Sequence, residues 1–470
     1  MTEKRRVTAM ATHAPNIPTG FGRVSREVSC YLGDYYKHYC VGWQFQGEPI
    51  VIRFQDEPYG GNFLLCPTAP GGNYNEFGQR TFPQFIPYAR PDVLITLADW
   101  FVFAGGAHNG YINYNDRWLP NFLMQVSKQM NHKIHNVWYF PIDSTPINTA
   151  FKRLLEITEV PVVMSRYGSK ELSRLGIDHE YIPHGVRPSQ FKINPEEVRM
   201  RSRRDVAGRF INNPVINKRL LSNIEDCFIV LWGGRNQIRK MPQRLMEVLG
   251  KFAKDKEDVL FLLHTSPLPY EVGFTLPFHL ERYGINDRTI FTEASQVYHP
   301  ATGFLNNLIN CADVYVDTAG GEGFGFFRLE SAACGLARVM INWTTSAELM
   351  GLPDSEIPLT IEEALSVNAG GEKENVKTES GFLVPVQSRW TSGVGADFGL
   401  IDVDLAVEAL NYLYDHREET KRMGRKGNEF AYKNYSWDLV LPKWRDLIEE
   451  IFENEKRLKE RLEANIVSTT

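Results

Sequence analysis

The stretch CADVYVDTAGGEGFGFFRLESAACGLARVMIN, residues 311–342, joins an apolar run, a glycine-rich turn and a segment of small residues. The apolar run predicts a buried strand at 312–318, and the segment from about Phe327 predicts a helix. Glycines in the turn permit positive φ angles and a close approach of the backbone to a ligand. N–H groups at the start of the helix suit an anion such as phosphate. The stretch therefore predicts a strand–turn–helix unit of an α/β protein with an anion site at its turn.

The same stretch contains two glutamates, Glu322 in the turn and Glu330 about one turn into the helix. Carboxylates accept paired hydrogen bonds from vicinal hydroxyls, so the pair suits two sugars of one extended ligand. A dinucleotide fingerprint is excluded because Phe326 stands where its last glycine belongs, and a Walker loop is excluded because Gly-Lys-Ser/Thr is absent. The alternative is structural, with Glu322 capping the helix and Glu330 on the surface.

Apolar runs alternate with longer amphipathic segments along most of the chain. Most runs lack a two-residue alternation, which predicts strands of parallel sheets that helices cover on both faces. Repetition of strand and helix predicts a doubly wound α/β architecture. The predicted strands contain RVTAMAT, YCVGWQF, NFLLCP, DVLITLA, NVWYFPI, VPVVMS and EYIPHG in the front half, and CFIVLWGG, VLFLLHT, RTIFTE, DVYVDTA and ARVMIN in the back half.

The pattern lapses between about residues 188 and 222, where the sequence is polar and rich in arginine, and we place a boundary between two lobes there. The arginines within 199–204 suit an anion site or, as the preferred interpretation, a solvated helix face.

A second candidate site is LWGGRNQIRKMPQRL, residues 231–245, in which three cations follow a buried strand. Ligands of open α/β sheets bind at the carboxyl ends of strands. Arg235 has a planar, fork-shaped guanidinium group, and Lys240 has a compact ammonium charge. Together they suit a diphosphate. A solvated basic loop is the alternative.

A third candidate is MATHAPNIPTGFGRVSREVSCYL, residues 10–32, which leads from the first strand through a loop with Gly20 into a helix. Thr19 is the expected helix cap. The loop predicts another anion site, although the motif alone is weak.

In chain order, the front glycine loop, the Arg/Lys loop and the glutamate turn resemble glycosyltransferase family 4, whose GT-B fold has two Rossmann-like lobes facing a cleft. The resemblance covers nearly the whole chain. It implies an acceptor-side lobe at 1–205, a nucleotide-sugar-binding lobe at 206–435 and a C-terminal helix at 436–470 that returns to the front lobe. The stretches that carry it are PVVMSRYGSKELSRLGIDHEYIPHGV, GGRNQIRK, EGFGFFRLESAACG and YSWDLV.

The resemblance implies retaining transfer of a sugar from a nucleoside-diphosphate sugar, which is a substrate, and it implies no cofactor. Arg235 and Lys240 would hold the diphosphate and stabilise its developing charge, so that no metal is needed. Glu322 would bind the sugar hydroxyls, and Glu330 the ribose. The remaining implied donor contacts are Gly20, Gly323, Phe324 and Gly325. Asp402 and Asp404 form an Asp-x-Asp, which we interpret as a helix cap.

The front lobe departs from the family pattern. A His-Asp pair usually follows one of its strands, but YFPIDSTP has Ile142 before Asp143. We expect Asp143 to take part of the catalytic role, with Asp99 nearby. A nucleotide-sugar epimerase and a non-catalytic nucleotide-sugar-binding protein remain as alternatives to a transferase.

Charge distribution and cysteine content indicate which acceptors the protein favours and in which cellular compartment it is expected. The chain has 470 residues, and its net charge of −5 is uneven, with +5 in residues 1–210 and −10 in the remainder. This asymmetry favours an anionic acceptor, such as nucleic acid, a lipid or a glycan, although chance explains it equally well. Six scattered cysteines without a C-x-x-C pair, and no signal peptide, predict buried thiols and a cytoplasmic protein.

Overall fold

The computed structural model describes residues 6–54, 59, 61–68, 77–103, 118–269, 272–292, 302–366 and 373–454. Two compact units share the chain. The first contains the described residues of Met1–Ile142, Ile147–His184 and Trp437–Thr470, and the second contains those of Asp143–Pro146 and Gly185–Ser436. None of the described helices is long and apolar enough to cross a membrane.

The first unit is built on an eight-stranded sheet in the order β3-β4-β2-β1-β5-β6-β7-β8. Every neighbouring pair is parallel except β3 and β4. The chain direction across the sheet reverses between β1 and β5, which places the topological switch point there. The strands are β1 (Val7–His13), β2 (Lys37–Trp43), β3 (Ile50–Ile52), β4 (Phe63–Pro67), β5 (Val93–Leu97), β6 (His135–Phe140), β7 (Val160–Val163) and β8 (Glu180–Tyr181). The helices before the unit's last segment are α1 (Gly20–Tyr35), α2 (Phe82–Ala89), α3 (Trp118–Met130), α4 (Thr149–Glu156) and α5 (Arg166–Arg174).

The second unit is built on a seven-stranded sheet in the order β11-β10-β9-β12-β13-β15-β14, in which only β14 is antiparallel to its neighbour. Its switch point lies between β9 and β12. A separate hairpin pairs β16 with β17. The strands are β9 (Phe228–Gly233), β10 (Val259–His264), β11 (Thr289–Phe291), β12 (Val314–Asp317), β13 (Ala337–Ile341), β14 (Val376–Thr378), β15 (Gly381–Val384), β16 (Val386–Thr391) and β17 (Asp397–Ile401).

Helices of the second unit follow its strands as the alternating pattern predicts. α8 packs against α9 and α14, and α11 packs against α15. The helices are α6 (Glu196–Phe210), α7 (Lys218–Ser222), α8 (Pro242–Ala253), α9 (Leu276–Tyr283), α10 (Thr302–Asn310), α11 (Phe326–Ala333), α12 (Thr345–Leu349), α13 (Ile361–Ser366), α14 (Val403–Asp415) and α15 (Arg417–Tyr435).

The final segment of the chain returns to the first unit as α16 (Trp437–Glu453), which packs against α1. Trp444 of α16 is fully buried, with its ring 4.9 Å from that of Tyr139 on β6. The Tyr36 hydroxyl donates to Glu449 Oε1 at 2.6 Å. This return is the one that the sequence predicts.

The arginines of the polar segment have a structural role that neither sequence interpretation anticipated. Arg199 and Arg203 both bind the Asp313 carboxylate, and Arg203 is 2% exposed and also donates to the carbonyls of Cys311 and Cys227. These contacts fasten α6 to the second sheet. Residues from Gly185 onward accordingly group with the second unit, whereas we placed the boundary after residue 205.

Two smaller predictions are confirmed. All six cysteines are buried free thiols. Asp402 caps α14, since its carboxylate accepts the N–H groups of Asp404 and Leu405, and Asp404 pairs with Lys251.

Candidate functional site

The glycine-rich turn lies at the switch point of the second sheet, between the end of β12 and the start of α11. Gly325, directly before α11, has a φ of +91°, which favours glycine. Gly321 lies so close to neighbouring backbone that a Cβ atom there would come 2.0 Å from the carbonyl oxygen of Asp143. The turn therefore needs glycine for its conformation at one position and for space at another.

Glu322, within this turn, is 5% exposed and lies between two cations of the loop that follows β9. Lys240 Nζ contacts its Oε1, and Arg239 Nη1 lies 3.2 Å from its Oε2. The same Arg239 nitrogen donates to the carbonyl of Gly321 at 3.0 Å. The predicted Arg/Lys loop and the predicted glutamate turn thus form one cluster.

A second ion pair, between Arg328 and Asp317, lies next to this cluster. Arg328, in the first turn of α11, is 1% exposed and binds the carboxylate of Asp317 at the end of β12. Its Nη1 donates to Thr345 Oγ1 at 2.9 Å, and its Nη2 is buried without a hydrogen-bond partner among the described residues. Three cations, Lys240, Arg239 and Arg328, consequently lie in one charged cluster with the two buried carboxylates of Glu322 and Asp317.

The protonation of Glu322 follows from these neighbours. Burial alone would raise the pKa of its carboxyl, but Lys240, Arg239 and Arg328 together hold that pKa below the ordinary value. Burial lowers the pKa of the Lys240 ammonium, and Glu322 opposes that shift. Glu322 is therefore a carboxylate at neutral pH, able to accept hydrogen bonds from hydroxyl groups.

Thr344 supports the turn from the loop after β13. It is fully buried, and its hydroxyl accepts the N–H of Glu322 at 3.2 Å. Its φ of +51° is unusual for a β-branched residue. Strained backbone of this kind is concentrated at functional sites, and here it holds the residue that carries the central carboxylate.

Asp143 belongs to a short segment, Asp143–Pro146, that groups with the second unit. One of its carboxylate oxygens lies 3.8 Å from Arg239 Nε, and the other accepts the Ser144 hydroxyl at 3.0 Å. The carbonyl of Thr145 accepts the N–H of Asp397 at the start of β17. Asp143 is therefore part of the cluster around Arg239, while Asp99 lies in the first unit.

The other predicted residues are distributed as follows. Glu330 and Phe324 are buried, at 2% and 3% exposure, and the Phe324 ring packs against Tyr435. Arg235 is exposed and makes no hydrogen bond or ion pair with the residues that the structure describes. Gly323 lies buried within the turn. Gly20 begins α1 in the first unit, where the Thr19 hydroxyl caps the helix by accepting the Gly22 N–H, as predicted.

The whole chain resembles solved structures of sugar-transferring enzymes in fold, at low sequence identity. Sucrose-phosphate synthase from Thermosynechococcus elongatus superposes with a TM-score of 0.63 at 14% identity, over 96% of this chain and all of the other. The chain has the GT-B fold. Anabaena HepE, solved in complex with UDP and glucose, gives 0.60 at 11% identity, over 95% of this chain and all of the other. An α,α-trehalose-phosphate synthase from Burkholderia vietnamiensis gives 0.56 at 10% identity, over 98% of both chains. No protein-family model matches the chain, and no curated protein matches its sequence.

Sequence reasoning assigned no role to several residues of the cluster. Arg239 stands directly before Lys240, but its spacing did not distinguish it from Arg235. Asp317 and Arg328 both lie in the stretch 311–342, at the strand end and in the first helical turn, which are positions that could have indicated them. Thr344 had no sequence signal, because its role depends on a backbone conformation that threonine rarely adopts.

Proposed function

We propose that this protein is a retaining glycosyltransferase that transfers a sugar from a nucleoside-diphosphate sugar to an acceptor. One observation carries the proposal: an ionised, buried Glu322 lies among Lys240, Arg239 and Arg328 at the switch point of the second sheet. A carboxylate for sugar hydroxyls beside cations for phosphate is the combination that a sugar diphosphate requires. The fold likeness to HepE, solved with UDP-glucose, and to a UDP-forming trehalose-phosphate synthase supports a uridine nucleotide.

The proposed reaction breaks the bond between the anomeric carbon of the sugar and the diphosphate oxygen. The bonding electrons pass to that oxygen, a bond forms between the anomeric carbon and an acceptor oxygen, and the acceptor's proton passes to the departing diphosphate. Lys240 and the first N–H groups of α11 stabilise the charge that develops on the diphosphate, so that no metal is required. Glu322 orients the sugar, and Glu330 holds the ribose.

The remaining donor contacts in this proposal come from the sequence resemblance. Arg235 adds an exposed cation to the diphosphate, and the backbone at Gly323, Phe324 and Gly325 contacts sugar or phosphate. Gly20 permits the loop before α1 to approach the donor. Asp143, next to Arg239, takes part at the reacting carbon. Assignment to glycosyltransferase family 4 and retention of the anomeric configuration belong to the same proposal.

The test compares Lys240→Met with Lys251→Met, which changes an exposed lysine of α8 that pairs with Asp404. Purified protein is incubated in EDTA with UDP-, GDP- and ADP-sugars, and release of the nucleoside diphosphate is measured. We expect one nucleotide to raise the melting temperature of the wild type by mass action. Lys240→Met should lower turnover about 100-fold, and Lys251→Met should leave it unchanged.

Three results would contradict the proposal. If no nucleotide or sugar nucleotide binds or is cleaved, the assigned substrate class is wrong. If Lys240→Met behaves like Lys251→Met, the cluster is not the donor site. Loss of activity in EDTA that manganese or magnesium restores would show that a metal, rather than fixed cations, neutralises the leaving group.

A further inference from the structure

Arg239 joins two carboxylates and the glycine turn. Its Nη1 lies 3.2 Å from Glu322 Oε2, and its Nε lies 3.8 Å from Asp143 Oδ2. The same Nη1 donates to the carbonyl of Gly321, and the backbone carbonyl of Arg239 accepts the N–H of Gly320 at 2.8 Å. Side chain and backbone of one residue thus hold the turn at three points.

In the proposed complex, Glu322 and the diphosphate of the donor both attract the ammonium group of Lys240. A diphosphate that binds Lys240 draws that cation away from Glu322, because one ammonium cannot neutralise both groups fully. Glu322 is 5% exposed, so water cannot replace the lost partner, and a buried carboxylate without a cation is strongly disfavoured. Arg328 contributes positive charge near Glu322, but its direct ion pair is with Asp317. Arg239 is the cation already placed at the second oxygen of Glu322.

We propose that Arg239 is a positioning residue, which keeps Glu322 ionised and in place when Lys240 turns to the diphosphate, and which ties Asp143 to the same turn. The inference rests on the proposed function for its ligand. Arg239 itself does not bind the diphosphate in this proposal. Its planar fork suits the task, because one guanidinium can contact a carboxylate and a carbonyl together.

The first test needs no substrate. A double-mutant cycle of Arg239→Met and Glu322→Gln measures their coupling from urea unfolding of the full chain. We expect clear non-additivity, since each variant removes one partner of a partly buried pair. The control cycle, Arg219→Met with Glu257→Gln, tests an ion pair of the same unit whose side chains are 73% and 79% exposed, and it should be nearly additive. Additivity at Arg239 would overturn the proposal.

The second test separates positioning from phosphate binding. Arg239→Met should bind UDP within about threefold of the wild type but lower kcat for donor cleavage by about tenfold or more. The acid limb of its kcat–pH profile should move to higher pH. The groups facing Glu322 in that variant are Lys240, Arg328, Asp317 and Tyr315, and the lost guanidinium no longer disfavours protonation of the carboxyl. Arg239→Lys, which keeps the charge, should return the acid limb toward its wild-type position.

The outcomes distinguish this inference from the proposed function. If Arg239→Met weakens UDP binding as much as Lys240→Met does, Arg239 is a phosphate ligand and the inference is wrong, although the protein remains a nucleotide-sugar enzyme. If the wild type binds and cleaves no sugar nucleotide, the proposed function fails, and the unfolding cycle still decides whether Arg239 holds Glu322.

Discussion

Glu322 shows how a residue can be charged and buried together. Removing the partner of a buried carboxylate lowers the free energy of unfolding by about 3–5 kcal/mol. Glu322 can therefore stay ionised only because cations surround it. Lys240 and Arg239 meet this condition on opposite oxygens of the carboxylate. The sequence indicated Glu322 and Lys240 through motif spacing, but it could not decide which arginine faces the carboxylate. That choice depends on a short 3-10 turn at Ile238–Lys240, which brings Arg239 inward and leaves Arg235 exposed.

The electrostatics of Glu322 predict a pH effect on stability. Its folded-state pKa lies below the ordinary value of 4.5, so its stabilising contribution is complete above pH 4.5 and is lost as pH falls below that value. The free energy of unfolding of the wild type should therefore decline more steeply between pH 5.5 and 3.5 than that of Glu322→Gln, as urea titrations can measure. Glu257→Gln, which removes an exposed glutamate of the same unit, should follow the wild type. Parallel curves for wild type and Glu322→Gln would show that the ion pairs contribute nothing net.

At the scale of elements, the glycine turn is held between two neighbours that come from distant parts of the chain. The segment Asp143–Pro146 lies on one side of Gly321, and β17 contributes a Gly399 N–H to the carbonyl of Gly320 at 2.9 Å. Strand, turn and helix 311–342 could be predicted, because apolar runs and glycines mark them. The β16–β17 hairpin could not, since most side chains of β16 are exposed and form no apolar run. β15 was also not predicted, because only three residues lie between its glycine, Gly381, and the proline that follows the strand.

Gly321→Ala should disrupt this junction, because the new methyl group would lie 2.0 Å from the Asp143 carbonyl oxygen. We expect a lower melting temperature, measured by calorimetry, and at least tenfold lower turnover of the sugar nucleotide, since Glu322, which orients the sugar, is the next residue. Gly208→Ala in α6 is the matched control, where an added Cβ meets nothing within 4 Å. It should stabilise the chain by about 0.5–1 kcal/mol through helix propensity. Equal behaviour of the two variants would mean that the turn can move away from Asp143 at little cost.

At the scale of the whole molecule, the first unit is discontinuous, because its core includes a helix that follows the second unit in sequence. Trp444 fills that core against Tyr139, and both side chains are buried. The sequence predicted this return through YSWDLV and its amphipathic helix. The first long crossing between units lies at Gly185, and the contacts of Arg199 and Arg203 with Asp313, which join α6 to the second unit, link residues more than 100 positions apart.

Trp444→Ala should lower the free energy of unfolding by about 3–5 kcal/mol, through lost burial and the cavity left behind. Leu439→Ala in the same helix changes a side chain that is 52% exposed, and it should cost less than about 1 kcal/mol. Urea unfolding followed by tryptophan fluorescence and circular dichroism measures both. A small effect at Trp444 would indicate that α16 contributes little to the stability of the first unit.

Because the first unit is discontinuous in sequence, its segments are synthesised at different times. β1 to β8 leave the ribosome before any residue of Gly185–Ser436. The surface of α1 that α16 covers nevertheless stays uncovered until the residues of α16, from Trp437 onward, have been synthesised. At roughly 5–20 residues per second, this interval lasts on the order of 10 to 50 seconds. All residues of the second unit are synthesised before Trp437, so the first unit, although it begins first, is the last to obtain all of its residues. For that time the face of α1 that packs against α16 in the finished protein is not yet covered by that helix.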